Sequence, residues 1–248
     1  MKDVIINELS NRYSLEKRDM GELKNIHKGM YNFDCEAYTI KDIGNLFFIN
    51  MKAMFGLMKM ETCVLTPIEK DLSFCNLDII KAMGNETYMF EMYDTCINQS
   101  DLSDFDQIKE KYRDMENYET APRWYDSYKL PSCICKKGKK ITAKGEAMMK
   151  DCLNTYLDLL DQVLVCDPSL KTEKNKVYVE RLLSEGGAAV DSMNKIISPE
   201  KTAELIRKFM YRTEGYKHNI SIYQKEYLTQ VFFLSICFLY DLYGCLPI

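Results

Sequence analysis

The stretch that decides the fold runs from Phe55 to Ile97: FGLMKMETCVLTP (55–67), IEKDLSFCNLDIIKAMGN (68–85) and ETYMFEMYDTCI (86–97). It reads as three successive β-strands. The first, rich in Met, Val, Leu and Cys, stops at Thr66-Pro67, because the residue before a proline is pushed out of the helical region. Lys70-Asp71 and Gly84-Asn85 bound the second. The third starts at Glu86 and alternates Tyr88, Phe90 and Met92 with Met89, Glu91 and Tyr93. Each run has apolar side chains on both faces, the pattern of a sheet covered on both sides. Three acids, Glu61, Asp78 and Glu91, lie inside these strands. A carboxylate there is costly unless it is paired, hydrogen-bonded or protonated.

Towards the N-terminus, residues 7–28 are polar and helix-prone, predicting one or two helices packed on the sheet. Tyr31–Tyr38 and Asn45–Ala53 read as further strands. Beyond the centre, Ser100 and Ser103 are N-cap candidates for a helix in which Leu102, Phe105, Ile108 and Tyr112 recur at helical spacing. A short sixth strand is expected at Lys129–Cys135, then helices at 143–165, 173–184 and 188–197. Ser198-Pro199-Glu200 opens another, with serine as cap and proline at the first position. A strongly apolar last helix at 221–243 should lie against the sheet. Strands first and helices afterwards predict a three-layer α-β-α sandwich with a central, mainly antiparallel sheet, built as one domain over residues 1–248.

Composition narrows the function. A hydrophobic content of 46%, with 12% aromatics, excludes disorder. The net charge of −4 argues against a general nucleic-acid binder. Ten cysteines are scattered rather than paired, and MKDVIINELSNRY lacks the apolar core of a signal peptide. Reduced thiols and a cytoplasmic protein are therefore expected. Leu228 to Tyr240, the longest uncharged apolar run, is too short to span a bilayer, so no membrane partner is expected. No GxGxxG or P-loop pattern is present, and Cys133 and Cys135 lie too close for standard zinc or iron–sulfur spacing. Only two histidines occur, His27 and His218, both in polar surroundings. An enzyme of this composition would have to work with carboxylates.

The run CVLTPIEKDLSFCNLD (63–78) resembles the ferredoxin-dependent bilin reductases, in which a strand ending in proline leads through Asp-Leu-Pro to a strand holding a catalytic aspartate. The landmarks here are Cys63-Val64, Pro67, Asp71-Leu72 and Asp78. The related red chlorophyll catabolite reductases share the layout. The resemblance implies reduction of a linear tetrapyrrole such as biliverdin. Electrons would come from ferredoxin or flavodoxin, with no tightly bound cofactor and no metal. Asp78, between Leu77 and Ile79-Ile80, would be the proton donor, and Met60, Thr62, Glu91 and Tyr93 would line the substrate. Glu61 should point to the other face and serve an ion pair. The cluster Lys136, Lys137, Lys139 and Lys140 would dock the electron donor by charge attraction, or else be a solvated turn. Thr62 stands where many bilin reductases have a histidine. The family's C-terminal asparagine or aspartate has no fixed counterpart, since SMNKIISPEKTAELI (192–206) can be registered in more than one way. Two alternatives follow: a protein that holds a tetrapyrrole without reducing it, and a thiol-based redox sensor.

Overall fold

The polar N-terminal segment departs from its helical reading. In the computed structural model, which describes residues 1–216, the one α-helix there is Lys2–Arg12 (α1), burying Ile5 and Leu9, and Gly21–Leu23 adds a single 3-10 turn. Leu15–Arg18 (β1) and Asn25–Lys28 (β2) are short strands that pair with Tyr31–Ile40 (β3). They are edge strands, and short charged edges discourage pairing with other chains. That same charge leaves no apolar alternation to betray them in the sequence.

The centre follows its reading closely. Gly44–Ala53 (β4), Met58–Pro67 (β5), Cys75–Ala82 (β6) and Asn85–Met92 (β7) continue from β3 as a meander. Asp104–Lys111 (α2), Glu116–Asn117 (β8) and Ile134–Gly138 (β9) come next. The strand expected at Lys129–Cys135 thus starts later, at Ile134. Pro131 has no N–H for a ladder, and Lys129 makes only an isolated bridge to Tyr93. The described sheet has the order β1-β3-β4-β5-β6-β7-β9-β8, with β2 also on β3. Its ladders are antiparallel.

Thr142–Gln162 (α3), Pro168–Glu185 (α4), Ala188–Ile197 (α5) and Pro199–Glu204 (α6) follow, the last running into a π-helical turn at Leu205–Met210. Helix α4 begins earlier than expected because Asp167 caps it, its carboxylate accepting from Ser169 N at 2.8 Å. Ser198 caps α6, accepting from Lys201 N at 3.4 Å. The helix expected at 221–243 lies outside the described residues.

The helices form two layers. Leu46, Phe48, Cys63, Leu77 and Phe90 pack on one face against Leu9 of α1, Phe105 of α2 and Met148 and Leu153 of α3. Phe47, Ile49 and Val64 pack on the other against Tyr178 and Val179 of α4, Val190 of α5 and Leu205. Gly145 sets the approach of α3, since a Cβ there would lie 2.4 Å from the Tyr88 ring. The architecture is a three-layer α-β-α sandwich around an antiparallel sheet, and Met1–Gly215 makes one compact unit. No described helix is long and apolar enough to cross a membrane.

Candidate active site

The β5–β6 register sets Thr62 opposite Asp78, and the β6–β7 register sets Asp78 opposite Met89. Because side chains alternate along a strand, Met60, Thr62, Asn76, Asp78, Met89 and Glu91 share the face covered by α4, α5 and α6. The proposed lining residues Met60, Thr62, Glu91 and Tyr93 therefore lie on the same side as Asp78. Towards Pro67 this face is sealed by Val64, Phe74 and Tyr93. Towards the opposite end, Met58, Met60, Thr62, Asp78, Ile80 and Met89 are half-exposed.

Thr62 Oγ1 donates a hydrogen bond to Asp78 Oδ1. No cation pairs with Asp78 among the described residues. Lys81, its nearest candidate in sequence, instead meets Glu146 of α3 at 3.6 Å, on the other face. Asp78 is half-buried by surface exposure but crowded by protein atoms. Burial pushes its carboxyl up to about 7; the Thr62 bond opposes the rise and the negative charge of Glu91 adds to it. Such a group exchanges a proton near neutral pH.

Glu91 is 8% exposed and fully engaged. Lys129 Nζ lies 2.8 Å from Oε1, Tyr93 Oη donates to Oε2 at 2.9 Å, and the Cys135 thiol lies 3.8 Å from Oε1. Burial pulls the Lys129 ammonium down, but its bonds to Glu91 and Asp126 outweigh this and raise it overall. Next to this pair, Asn76 Oδ1 is buried without a partner among the described residues while the Asn76 side chain hydrogen-bonds Tyr211. Phe74 stands 4.9 Å, between ring centroids, from both Tyr211 and Tyr178, giving the face an aromatic wall. Lys129, Asn76 and Tyr211 escaped the sequence reading. Asn76 alone carried a signal, as a polar residue two positions before Asp78; the others meet the site through distant pairing.

Other sequence candidates sort themselves elsewhere. Glu61 points to the opposite face and pairs with the Met1 amino group at 3.4 Å. Asp71 is a loop clamp, accepting from Ile97 N at 2.8 Å and Asn98 N at 2.9 Å. Lys136 departs from the docking patch assigned to it: it is 6% exposed, and its ammonium donates to Asn117 Oδ1 at 2.6 Å and Met115 O at 3.2 Å. It lies on the core face of β9, opposite in orientation to its neighbours. Lys137 pairs with Glu116 at 3.1 Å, leaving Lys139 and Lys140 as the exposed members. No described group of His, Cys, Asp and Glu could hold a metal ion. The described cysteines are free, and burial pushes the Cys133 thiol up to about 11 and those of Cys35 and Cys166 to about 12. Such thiols are poor nucleophiles, which weighs against a thiol sensor.

No family model matches the sequence, and no curated protein matches it. A crystal structure of phytochromobilin synthase from tomato, in complex with biliverdin, is similar with a TM-score of 0.68. The match covers 90% of this chain and 86% of that chain. The fold is that of phytochromobilin synthase. At 14% identity the likeness to phytochromobilin synthase speaks for the fold, and the chemistry has to be argued from Asp78 and its neighbours.

Proposed function

We propose that this chain is an oxidoreductase that reduces a linear tetrapyrrole, with electrons from ferredoxin or flavodoxin and a proton from Asp78. The observation that carries the reading is the Asp78 carboxyl: half-buried on the sheet face, free of any described cation, hydrogen-bonded by Thr62 and pushed up to about 7 by burial. The likeness to a biliverdin-bound enzyme supports the substrate class.

The chemistry needs two electrons and two protons per double bond. The donor gives one electron, converting the bilin to a radical anion. Asp78 protonates that anion while the added charge is localised near it, and the resulting carboxylate is reprotonated from solvent. A second electron and proton complete the reduction. A positioned acid of this kind contributes about two to four orders of magnitude in rate. Met60 and Met89 offer soft apolar contacts for a flat ligand. Glu91, neutralised by Lys129, fixes Tyr93 at the sealed end. Lys139 and Lys140 offer an exposed basic pair for an acidic donor, and no tightly bound cofactor is required.

The test is to mix the purified chain with biliverdin under argon and then add reduced ferredoxin. A shifted bilin spectrum on mixing, followed by loss of the long-wavelength band as the donor is consumed, supports the reading. Binding without reduction makes it a tetrapyrrole carrier, which Thr62 in the place of a histidine would favour. No spectral change at all confines the likeness to the fold.

A further inference from the structure

The β2–β3, β4–β5 and β6–β7 turns all reverse at one end of the sheet, beside the paired residues Tyr31, Ala53, Met58 and Ala82. With neighbouring strands about 4.8 Å apart, successive tips stand roughly 10 Å from one another in a row. Each tip holds apolar side chains out in water. Met30 is 53% exposed on the first, Phe55 95% and Leu57 63% on the second, and Met83 73% on the third. Phe55 and Met83 also have φ of +58° and +51°, a left-handed backbone that bulky residues rarely adopt. Glycine or asparagine would make these turns with less strain.

Just behind the tips, the ladders put Lys52 opposite Lys59, and Lys59 opposite Lys81. Like charges in direct cross-strand register repel. Lys81 finds Glu146 at 3.6 Å. Lys52 and Lys59 are exposed and make no ion pair among the described residues. An apolar row in front of a basic row is the layout of a surface that meets negative headgroups and dips into the layer beneath them.

We propose that this end of the sheet docks on an anionic phospholipid surface. Phe55, Leu57 and Met83 enter the interface, and Lys52 and Lys59 meet the headgroups. A protein partner would have to provide a separate pocket for each protruding tip, whereas a fluid interface closes around them. The contact is one of lying on a bilayer, not of spanning it, and it does not depend on the reading of Asp78.

The experiment is co-sedimentation with phosphatidylcholine vesicles, with and without phosphatidylserine as about a third of the lipid. The wild type should pellet with the anionic vesicles and stay in solution with the neutral ones. Phe55→Ser/Leu57→Ser/Met83→Ser should weaken partitioning about tenfold or more, and Lys52→Gln/Lys59→Gln about tenfold. The first variant alters exposed turn residues and the second exposed side chains at the ends of two central strands, so unchanged circular dichroism and melting check that they fold. The proposal is overturned if the wild type does not pellet, if neutral vesicles bind it equally, or if the triple variant binds unchanged. A dimer in gel filtration that the triple variant abolishes, without lipid binding, would give the tips to a second copy instead.

Discussion

Thr62 Oγ1 donates its proton to Asp78 Oδ1 across the β5–β6 ladder, so the aspartate's cross-strand neighbour is a neutral hydroxyl that stabilises the ionised carboxylate. Removing that donor should favour the protonated acid. Thr62→Val is expected to raise the Asp78 pKa above its value of about 7 by about one unit. If Asp78 delivers the proton, the alkaline limb of the pH–rate profile moves up by the same amount. A profile that does not move would separate the hydroxyl from the titrating group.

Asp78 should also mark the pH dependence of stability. Its folded pKa, about 7, lies above the unfolded value of about 3.9, so the folded chain keeps a proton that the unfolded chain has released. This favourable contribution is whole below about pH 4 and is lost as pH rises through about 7. Asp78→Asn, neutral throughout, should therefore gain on the wild type between pH 5 and 8.5. Urea unfolding should show a gain of about 1–2 kcal/mol, after discounting the shift for solvent screening. A pH-independent difference between the two proteins would contradict the raised pKa.

Glu91 and Lys129 are expected to stand or fall together. Lys129→Met leaves a buried carboxylate without its cation and should cost about 3 kcal/mol or more in urea unfolding. The double variant Glu91→Gln/Lys129→Met should recover most of that loss. Glu91→Gln alone removes a negative charge that raises the Asp78 pKa, so the pH–rate profile should shift towards acid. Additive losses in the double variant would show that the pair is not coupled.

The central strands were legible because Met58–Pro67 and Asn85–Met92 carry both-face apolar patterns closed by proline and glycine. Asp78 was legible because a charged residue between Leu77 and Ile79 has to be explained. β1 and β2 were not, since Glu16, Lys17, His27 and Lys28 give short edge strands a loop-like composition. Lys136 was misplaced for a local reason: in a run of lysines nothing marks the one whose strand register turns it inward. The Lys129–Glu91 pair and the Tyr211 contact join residues 38 and 135 positions apart in sequence. No periodicity reports a contact of that kind.

The two kinds of lysine on and after β9 should respond differently. Lys139→Gln/Lys140→Gln, at exposed positions, should slow ferredoxin-driven turnover and flatten its dependence on salt, leaving bilin affinity and melting unchanged. Lys136→Gln, which loses two hydrogen bonds in a buried setting, should lower stability by about 1–3 kcal/mol. Equal salt dependence in the double variant and the wild type would return Lys139 and Lys140 to a solvated turn.

The most direct test of the central claim is the anaerobic absorption and electron paramagnetic resonance spectrum of Asp78→Asn, bound to biliverdin and supplied with reduced ferredoxin. Asparagine keeps the size of the side chain but cannot release the proton. The variant should bind the bilin, accept one electron and accumulate a bilin radical, with product formation slowed by about two to four orders of magnitude. Wild-type turnover without a radical would remove Asp78 from the chemistry.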